Sequence, residues 1–409
     1  MRGGLRMLNA LRHPQYRRYW LGNLAAVSGQ QMMWVAQGWL IYRLTDSPLY
    51  LGYAGLATAA PAIILNLIGG VFADRLDQRK VIFTTQIIIA ATVACLATLT
   101  ALDLVRVWHI LVAAFISGST QAFNNPARQS IFPQLVDRKD LMNAVSLNSI
   151  VWQGTRIVAP ATGGVIVAAL GEAVTFYVVA MGFLGLGFAV IGLKVERHVR
   201  ARNRAVLSEL AEGLGFIRDN FLFTFLIAMS FFNSFFGMSV QQLMPVFARD
   251  ILEVGPAGMG FLFSMSGVGS LLGIFAIGLL GDFERKGLLI VGGASVYGLC
   301  LVLFALSTMY PLSAAAMFCM GAFSSIYTIT LQTTLQLRVP DELRGRVMGV
   351  YGMTHNIGPL GAVQAGVVAS AFSAPVAVAI GGCAILFFAL STALTRREVR
   401  RLQAAPAAG

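Results

Sequence analysis

Twelve stretches of more than 20 predominantly apolar residues follow one another along this chain, and that run decides the fold class before any motif is read. A hydrocarbon layer of roughly 30 Å is crossed by about 20 residues of helix, and lipid offers the backbone no hydrogen-bond partners, so spanning segments are helices or closed barrels. Segments this long exclude the barrel. Breaks at charges, Pro and Gly place the spans at 17–43, 49–73, 80–101, 106–127, 141–169, 172–193, 221–248, 257–281, 287–308, 311–337, 345–372 and 375–395. The expectation is an all-α membrane protein with 12 transmembrane helices in two pseudo-symmetric six-helix bundles, residues 17–193 and 221–395. Residues 1–16 form a retained cytoplasmic arm, 194–220 a linker and 396–409 a tail.

Composition supports lipid as the main solvent: 57% of residues are hydrophobic, only 12% are charged, and mean hydropathy is +0.73. The polar coat of a soluble domain is missing. Of the 30 Lys and Arg residues, all but Arg43, Arg106, Arg156 and Arg249 fall at the two ends or in the even-numbered connections. Positive loops stay on the cytoplasmic side, so both termini are expected inside. The net charge of +12 then reflects anionic lipid facing those loops, and no nucleic-acid partner is needed. Cysteines 95, 300, 319 and 383 sit in apolar runs without CxxC spacing and read as small core residues, not ligands. In the linker, Leu207, Leu210, Leu214 and Ile217 recur at helical spacing, which predicts an amphipathic helix on the membrane surface.

The two halves repeat each other. "GSTQAFNNPARQSIFPQLV" at 118–136 aligns with "GAFSSIYTITLQTTLQLRV" at 321–339, placing Gly118 on Gly321 and Gln129 on Gln332 at an offset of 203 residues. "GVFADRLDQRK" at 70–80 aligns with "GLLGDFERKG" at 278–287, placing Gly70 on Gly278 and Asp74 on Asp282. Repeated halves are the sequence signature of secondary transporters, which bind substrate near the midplane between them.

Twelve spans in two halves, with a charged loop between spans 2 and 3, resemble the major facilitator superfamily of transporters. The superfamily's loop pattern G-x-L-A-D-R-x-G-R-K is matched by Gly70, Asp74, Arg75, Arg79 and Lys80, with Asp77 where Gly is usual. The resemblance implies that Asp74 caps a helix N-terminus in the other half and latches the cytoplasmic gate. Arg128 is a candidate partner and Asp282 the counterpart. "RIVAPATGG" in span 5 resembles the G-P-x-x-G-G motif of the superfamily's antiporters, with Ala159 in place of its first Gly, and span 11 carries "NIGPLGA". Pro160, Gly163, Gly164, Gly358 and Pro359 therefore make a bending seam, since Pro removes a helix hydrogen bond and Gly permits close approach. "WLIYRLTDSPLYLG", "NNPARQSIFPQLVDRKDLMNAVSLNS" and "VPDELRGRVMGVY" further resemble the bacterial efflux branch of enterobactin and macrolide exporters.

The resemblance implies that spans 1, 4, 7 and 10 line a central cavity. Their polar residues share helical faces: Gln30, Trp34 and Gln37; Gln121, Asn124, Asn125 and Arg128; Asn233 and Gln241; Thr328 and Gln332. Amides and an indole over apolar walls suit a sizeable amphipathic small molecule. Arg156, the one charge deep in a span, reads either as a substrate or coupling site or as a strut between helices. With every Asp and Glu in a loop or at a span end, His355 beside the span 11 seam is the internal candidate for a coupling proton. The chain is expected to be a monomeric exporter in the bacterial inner membrane, moving a siderophore-like or drug-like molecule against protons. A metabolite importer and a lipid flippase are the alternatives. No GxxxxGK[ST] loop and no catalytic constellation is present, so neither an ATP-driven pump nor an enzyme is expected, and no cofactor or metal.

Overall fold

The computed structural model describes residues 8–75, 77–193, 206–281, 285–355 and 357–396, with isolated positions 283 and 399. The side chains of 8, 66–75, 206–211 and 355 lie outside this description. Among the described residues the chain is helical throughout, without strands. Helices are numbered α1 Pro14–Thr45, α2 Pro48–Arg75, α3 Gln78–Ala101, α4 Val107–Ile131, α5 Leu141–Val190, α6 Val206–Asp219, α7 Phe221–Gly237, α8 Ser239–Val246, α9 Gly255–Leu280, α10 Lys286–Leu306, α11 Tyr310–Arg338, α12 Asp341–His355, α13 Gly358–Ala371 and α14 Ala374–Thr395. Eight described helical stretches are long and apolar enough to cross a membrane, one of them holding spans 5 and 6 together.

Helix ends follow from single residues. Pro14 and Pro48 open α1 and α2, where their missing N–H costs nothing. Asp46 closes α1 in the left-handed region, φ 48°. Gly171, at φ 83°, splits α5 into the limbs expected as spans 5 and 6, a conformation that favours Gly. Two spans are less continuous than expected. Span 7 breaks at Met238 into α7 and α8 and ends in a π-turn, Phe247–Ile251, just past Pro245. Span 11 is described as α12, ending at His355, and α13, which Gly358 and Pro359 open, with residue 356 outside the description.

The chain groups into two compact units. One holds Met1–Asp46, Tyr53–Arg202 and Val254–Ser264; the other holds Ser47–Gly52, Asn203–Glu253 and Met265–Gly409. In the first unit α1 packs along α5, with Gly22 against Ala189 and Leu186, Gly29 against Val179, and Gly163 against Met32. In the second, α10 meets α14 where Gly298 lies on Gly382, and α11 where Gly293 lies on Tyr327.

The internal repeat reappears as repeated backbone contacts. A Cβ at Gly118 of α4 would collide with the Thr58 carbonyl of α2; a Cβ at Gly321 of α11 would collide with the Ser266 carbonyl of α9. Likewise Gly163 of α5 sits on α1, and Gly361 of α13 sits on the Phe235 carbonyl of α7. Lipid gives helices no hydrophobic reason to associate, so close van der Waals packing through small residues takes over.

One expectation needs correction: Cys300 is buried, but Cys95 and Cys383 are exposed rather than core. In the linker helix Gly213 packs on Arg346, Glu212 pairs with Arg346, and Ile217 is buried, while Leu214 is 54% exposed. Leu207 and Leu210 lie outside the described side chains.

Gly118→Ala and Gly321→Ala are each expected to lose about 1–3 kcal/mol of stability through overpacking. Gly154→Ala, where a Cβ meets nothing within 4 Å, should be neutral. Thermal unfolding of the purified protein in detergent checks this; equal midpoints for Gly118→Ala and Gly154→Ala would remove the crossing as a packing constraint.

Candidate functional site

The first unit gathers a polar cluster where α1, α4 and α5 meet. Asn23, 1% exposed, donates from Nδ2 to Asn148 Oδ1 at 3.2 Å and accepts through Oδ1 from the Arg128 guanidinium. The Arg128 guanidinium also lies 5.6 Å from the centroid of the Trp152 ring, within cation–π range. Tyr19 and Tyr16 donate their hydroxyls to the carbonyls of Arg128 and Ala144, and the Trp20 indole N–H to that of Leu147. Arg128 thus has Asn23 and Trp152 as described partners. Its expected pairing with Asp74 involves a side chain outside the described set.

Helical period extends this cluster into a face. On α1, Gln30, Trp34 and Gln37 follow Asn23 by seven, eleven and fourteen residues, and so share its side of the helix. Trp34 is 56% exposed, Gln37 buried and Gln30 between. On α5, Trp152 and Arg156 follow Asn148 by one and two turns. Arg156 stands fifteen residues, about 22 Å, from the start of α5 and midway to the bend at Gly171. It is exposed, and among the described residues it forms no ion pair. Val158 and Val165, exposed apolar positions nearby, lie about half a turn round the helix from Arg156, whereas the exposed Met142 and Val145 lie on its side nearer the start of α5. On α4, Asn124 and Arg128 are buried, Gln121 donates to Ser117 Oγ at 3.2 Å, and Asn125 is exposed and stands apart. The Asn124 Oδ1 has no hydrogen-bond partner among the described residues.

The second unit's candidates come together less well. Asn233 and Gln241 do not share one helical face, because the break at Met238 puts them on α7 and α8. Asn233 Oδ1 is buried and unpartnered, whereas the neighbouring Gln242 donates to the Leu51 carbonyl. Thr328 is half-buried and Gln332 exposed on α11. The His355 side chain is outside the described set. Three polar groups that sequence reasoning passed over lie deep in this unit: Ser230 and Thr354 with hydroxyls 2.6 Å apart, and Tyr297 donating to the Gly237 carbonyl at 3.1 Å.

In the loop motif, Asp77 explains its own departure from Gly. It is the N-cap of α3 with extended backbone, φ −65° and ψ 112°, and its carboxylate accepts from the Arg79 N–H at 3.0 Å. Arg79 completes an ion pair at 2.7 Å and donates to the Leu193 carbonyl at 2.6 Å, tying the start of α3 to the end of α5. The position needs a cap, not a left-handed turn. Lys80 is exposed. Gly70, Asp74 and Arg75 lie at the end of α2 where side chains are not described, and Asp282 is likewise outside the described residues.

The seam residues prove to be crossing points. A Cβ on Gly164 would strike the Pro256 carbonyl, and one on Gly260 would strike the Pro160 carbonyl, so α5 and the first turns of α9 touch backbone to backbone. Ala161 N–H donates to Ser264 Oγ at 3.2 Å beside them. Gly358 and Pro359 open α13, with Gly358 over Met238 and Ser234. At the opposite end of α1, Arg43 pairs at 3.2 Å with Glu172, a carboxylate only 5% exposed that sits one residue past the Gly171 bend.

Two helical units with repeated glycine crossings and, among the described residues, a charge without an ion pair midway along a span mark a multi-pass membrane protein. Residues 6–408 match the family described as transmembrane secretion effector, and the chain belongs to that family of the major facilitator superfamily. It is 28% identical over 365 residues to the multidrug efflux pump Tap of Mycolicibacterium fortuitum, covering 85% of this chain and 87% of that one. Identity is 22% to macrolide efflux protein A of Streptococcus pyogenes, over 94% and 96% of the two chains. It is 23% to the enterobactin exporter EntS of Shigella boydii serotype 18, over 96% and 94%. The fold is similar to the crystal structure of the nucleoside transporter NupG, TM-score 0.74 at 14% identity, over 93% of this chain and 98% of that one. It is also similar to a bacterial homologue of the lysosomal transporter Spinster, TM-score 0.75 at 14% identity, over 97% and 99%.

The Arg79 hydrogen bonds hold the Asp77 carboxyl below its ordinary range. A depressed carboxyl contributes stability that is present at neutral pH and lost as pH falls through the lowered value. Asp77→Ala should cost about 0.5–2 kcal/mol and Asp77→Gly only a few tenths for the cap itself. The gap in melting temperature between wild type and Asp77→Ala should narrow only below about pH 4, measured by thermal scans across pH.

Proposed function

We propose that this chain is a secondary active exporter of amphipathic small molecules, drug-like or siderophore-like, in the bacterial inner membrane, with both termini cytoplasmic. Arg156 carries the reading. A guanidinium halfway along a membrane-crossing helix, without a carboxylate, is costly unless water or a ligand meets it. The efflux names of Tap, macrolide efflux protein A and EntS support the outward direction.

In the proposed cycle the face of Asn23, Gln30, Trp34, Gln37, Arg128, Trp152 and Arg156 receives the substrate from the cytoplasmic side. The two units then rock about the bound molecule, so that access alternates. The crossings of Gly164 with α9 and of Gly163 with α1 serve as the seam that must part or slide. Asp74 is assigned the inner latch, since a carboxylate against a helix N-terminus contributes about 0.3–1 kcal/mol, a bond that a cycle can break. A proton moving inward through His355, or through the substrate held at Arg156, drives the return. Glu172, tied to Arg43, is assigned a structural role.

Cells expressing the chain should tolerate more of an exported toxic compound, and Arg156→Ala at equal expression should lose that tolerance. In liposomes with an imposed pH gradient, counterflow of a dye or macrolide should follow the gradient and stop when an ionophore collapses it. Transport indifferent to the gradient would remove antiport, and no transport of any probe would remove export. Gly164→Ala should slow turnover at least tenfold while leaving the amount of protein in the membrane unchanged.

A further inference from the structure

We propose that Trp152, with Arg128 on one side and Arg156 one turn along α5, is a seat for an aromatic anion, so that preferred substrates carry a planar ring bearing a phenolate or carboxylate. The inference rests on the export reading for its biology, but its chemistry is read from the first unit alone. Three observations meet there. The Arg128 guanidinium is fixed over the indole at 5.6 Å and held by Asn23, which is itself held by Asn148. Trp152 nonetheless remains 41% exposed, so ring surface is left for a second partner. Arg156, four residues on, lies on the same side of α5, one turn past the indole.

Charge decides what the partner must be. Among the described residues neither Arg128 nor Arg156 forms an ion pair, and this unit's buried carboxylates, Asp140 and Glu172, are committed to His13 and Arg43. Two cations beside one aromatic ring repel a cationic ligand and leave a neutral one with hydrogen bonds only. An anion relieves both: Arg156 offers a planar fork that matches a carboxylate or a catecholate edge, and the indole stacks on the ligand's ring. The Arg128 charge behind the indole adds a longer-range attraction in a low-dielectric setting.

The test uses the purified full-length chain in detergent and three small probes of one shape: salicylate, the neutral salicylamide, and benzylamine as a cation. Calorimetric titration should give salicylate at least tenfold tighter binding than either of the others, with affinity falling as salt rises. Arg156→Gln should weaken salicylate tenfold or more and leave salicylamide unchanged. Arg156→Lys should recover most of the loss, and Trp152→Leu should weaken salicylate and salicylamide alike, since both stack. Should wild type bind salicylamide as well as salicylate, or Arg156→Gln bind salicylate normally, the seat is wrong. A variant that fails to fold is recognised by its melting curve, and the wild-type charge preference alone still decides the matter. The same preparation in liposomes separates the two proposals: anion-selective binding without any transport overturns export and leaves the seat standing, whereas gradient-driven transport with no charge preference does the reverse.

Discussion

Lipid supplies no hydrogen bonds, and nearly every feature of this chain answers that constraint. Backbone groups are satisfied by coiling into helices that run the width of a membrane. The helices cannot then be held together by hiding apolar surface, so they are held by contact so close that backbone meets backbone, at Gly118, Gly164, Gly321 and Gly361. Polar side chains must find partners inside the protein, and Asn23 does so by joining Arg128 to Asn148. A network like that is rigid because breaking one bond strands the next group without water.

The constraint also separates what holds from what handles a ligand. Arg128 is held in place by Asn23 and lies over the Trp152 ring at the back of the receiving face. Arg156, on the same face of the unit, is not, and Trp152 stands between them with part of its ring free. Glu172 makes the comparison on the acidic side: it is buried, and its charge is answered by Arg43 where α5 bends. A mid-span charge left unanswered among the described residues is therefore informative, because in hydrocarbon an unanswered charge is the expensive exception.

Much of the fold was legible in the sequence because length and hydropathy are what a bilayer selects. Breaks at charges, Pro and Gly placed most span limits near the helix ends, and Gly118 and Gly321, aligned in the sequence, sit at the crossings of α4 on α2 and of α11 on α9. The break at Met238 was less visible, since apolar character continues across it. The loop's Asp77 stood in the sequence only as a departure from the usual Gly; that it caps α3 depends on a backbone angle. Within the candidate site, Gln30, Trp34 and Arg156 were readable from helical spacing. Trp152 was not, because an aromatic on an apolar helix ordinarily packs in a core, and only the position of Arg128 makes it something else. Asn23 shared the spacing of Gln30 and was the signal that a longer window would have caught.

The central claim is that the Arg156 side of α5 meets water and substrate while the Val158 and Val165 side meets lipid. With Cys95, Cys300, Cys319 and Cys383 replaced, single cysteines at positions 152, 156, 158 and 165 can be challenged with a charged, water-soluble thiol reagent in membranes. The account predicts rapid labelling at 152 and 156, slowed by salicylate, and negligible labelling at 158 and 165. Labelling at 158 and 165 with none at 156 would place the charge against lipid and contradict it.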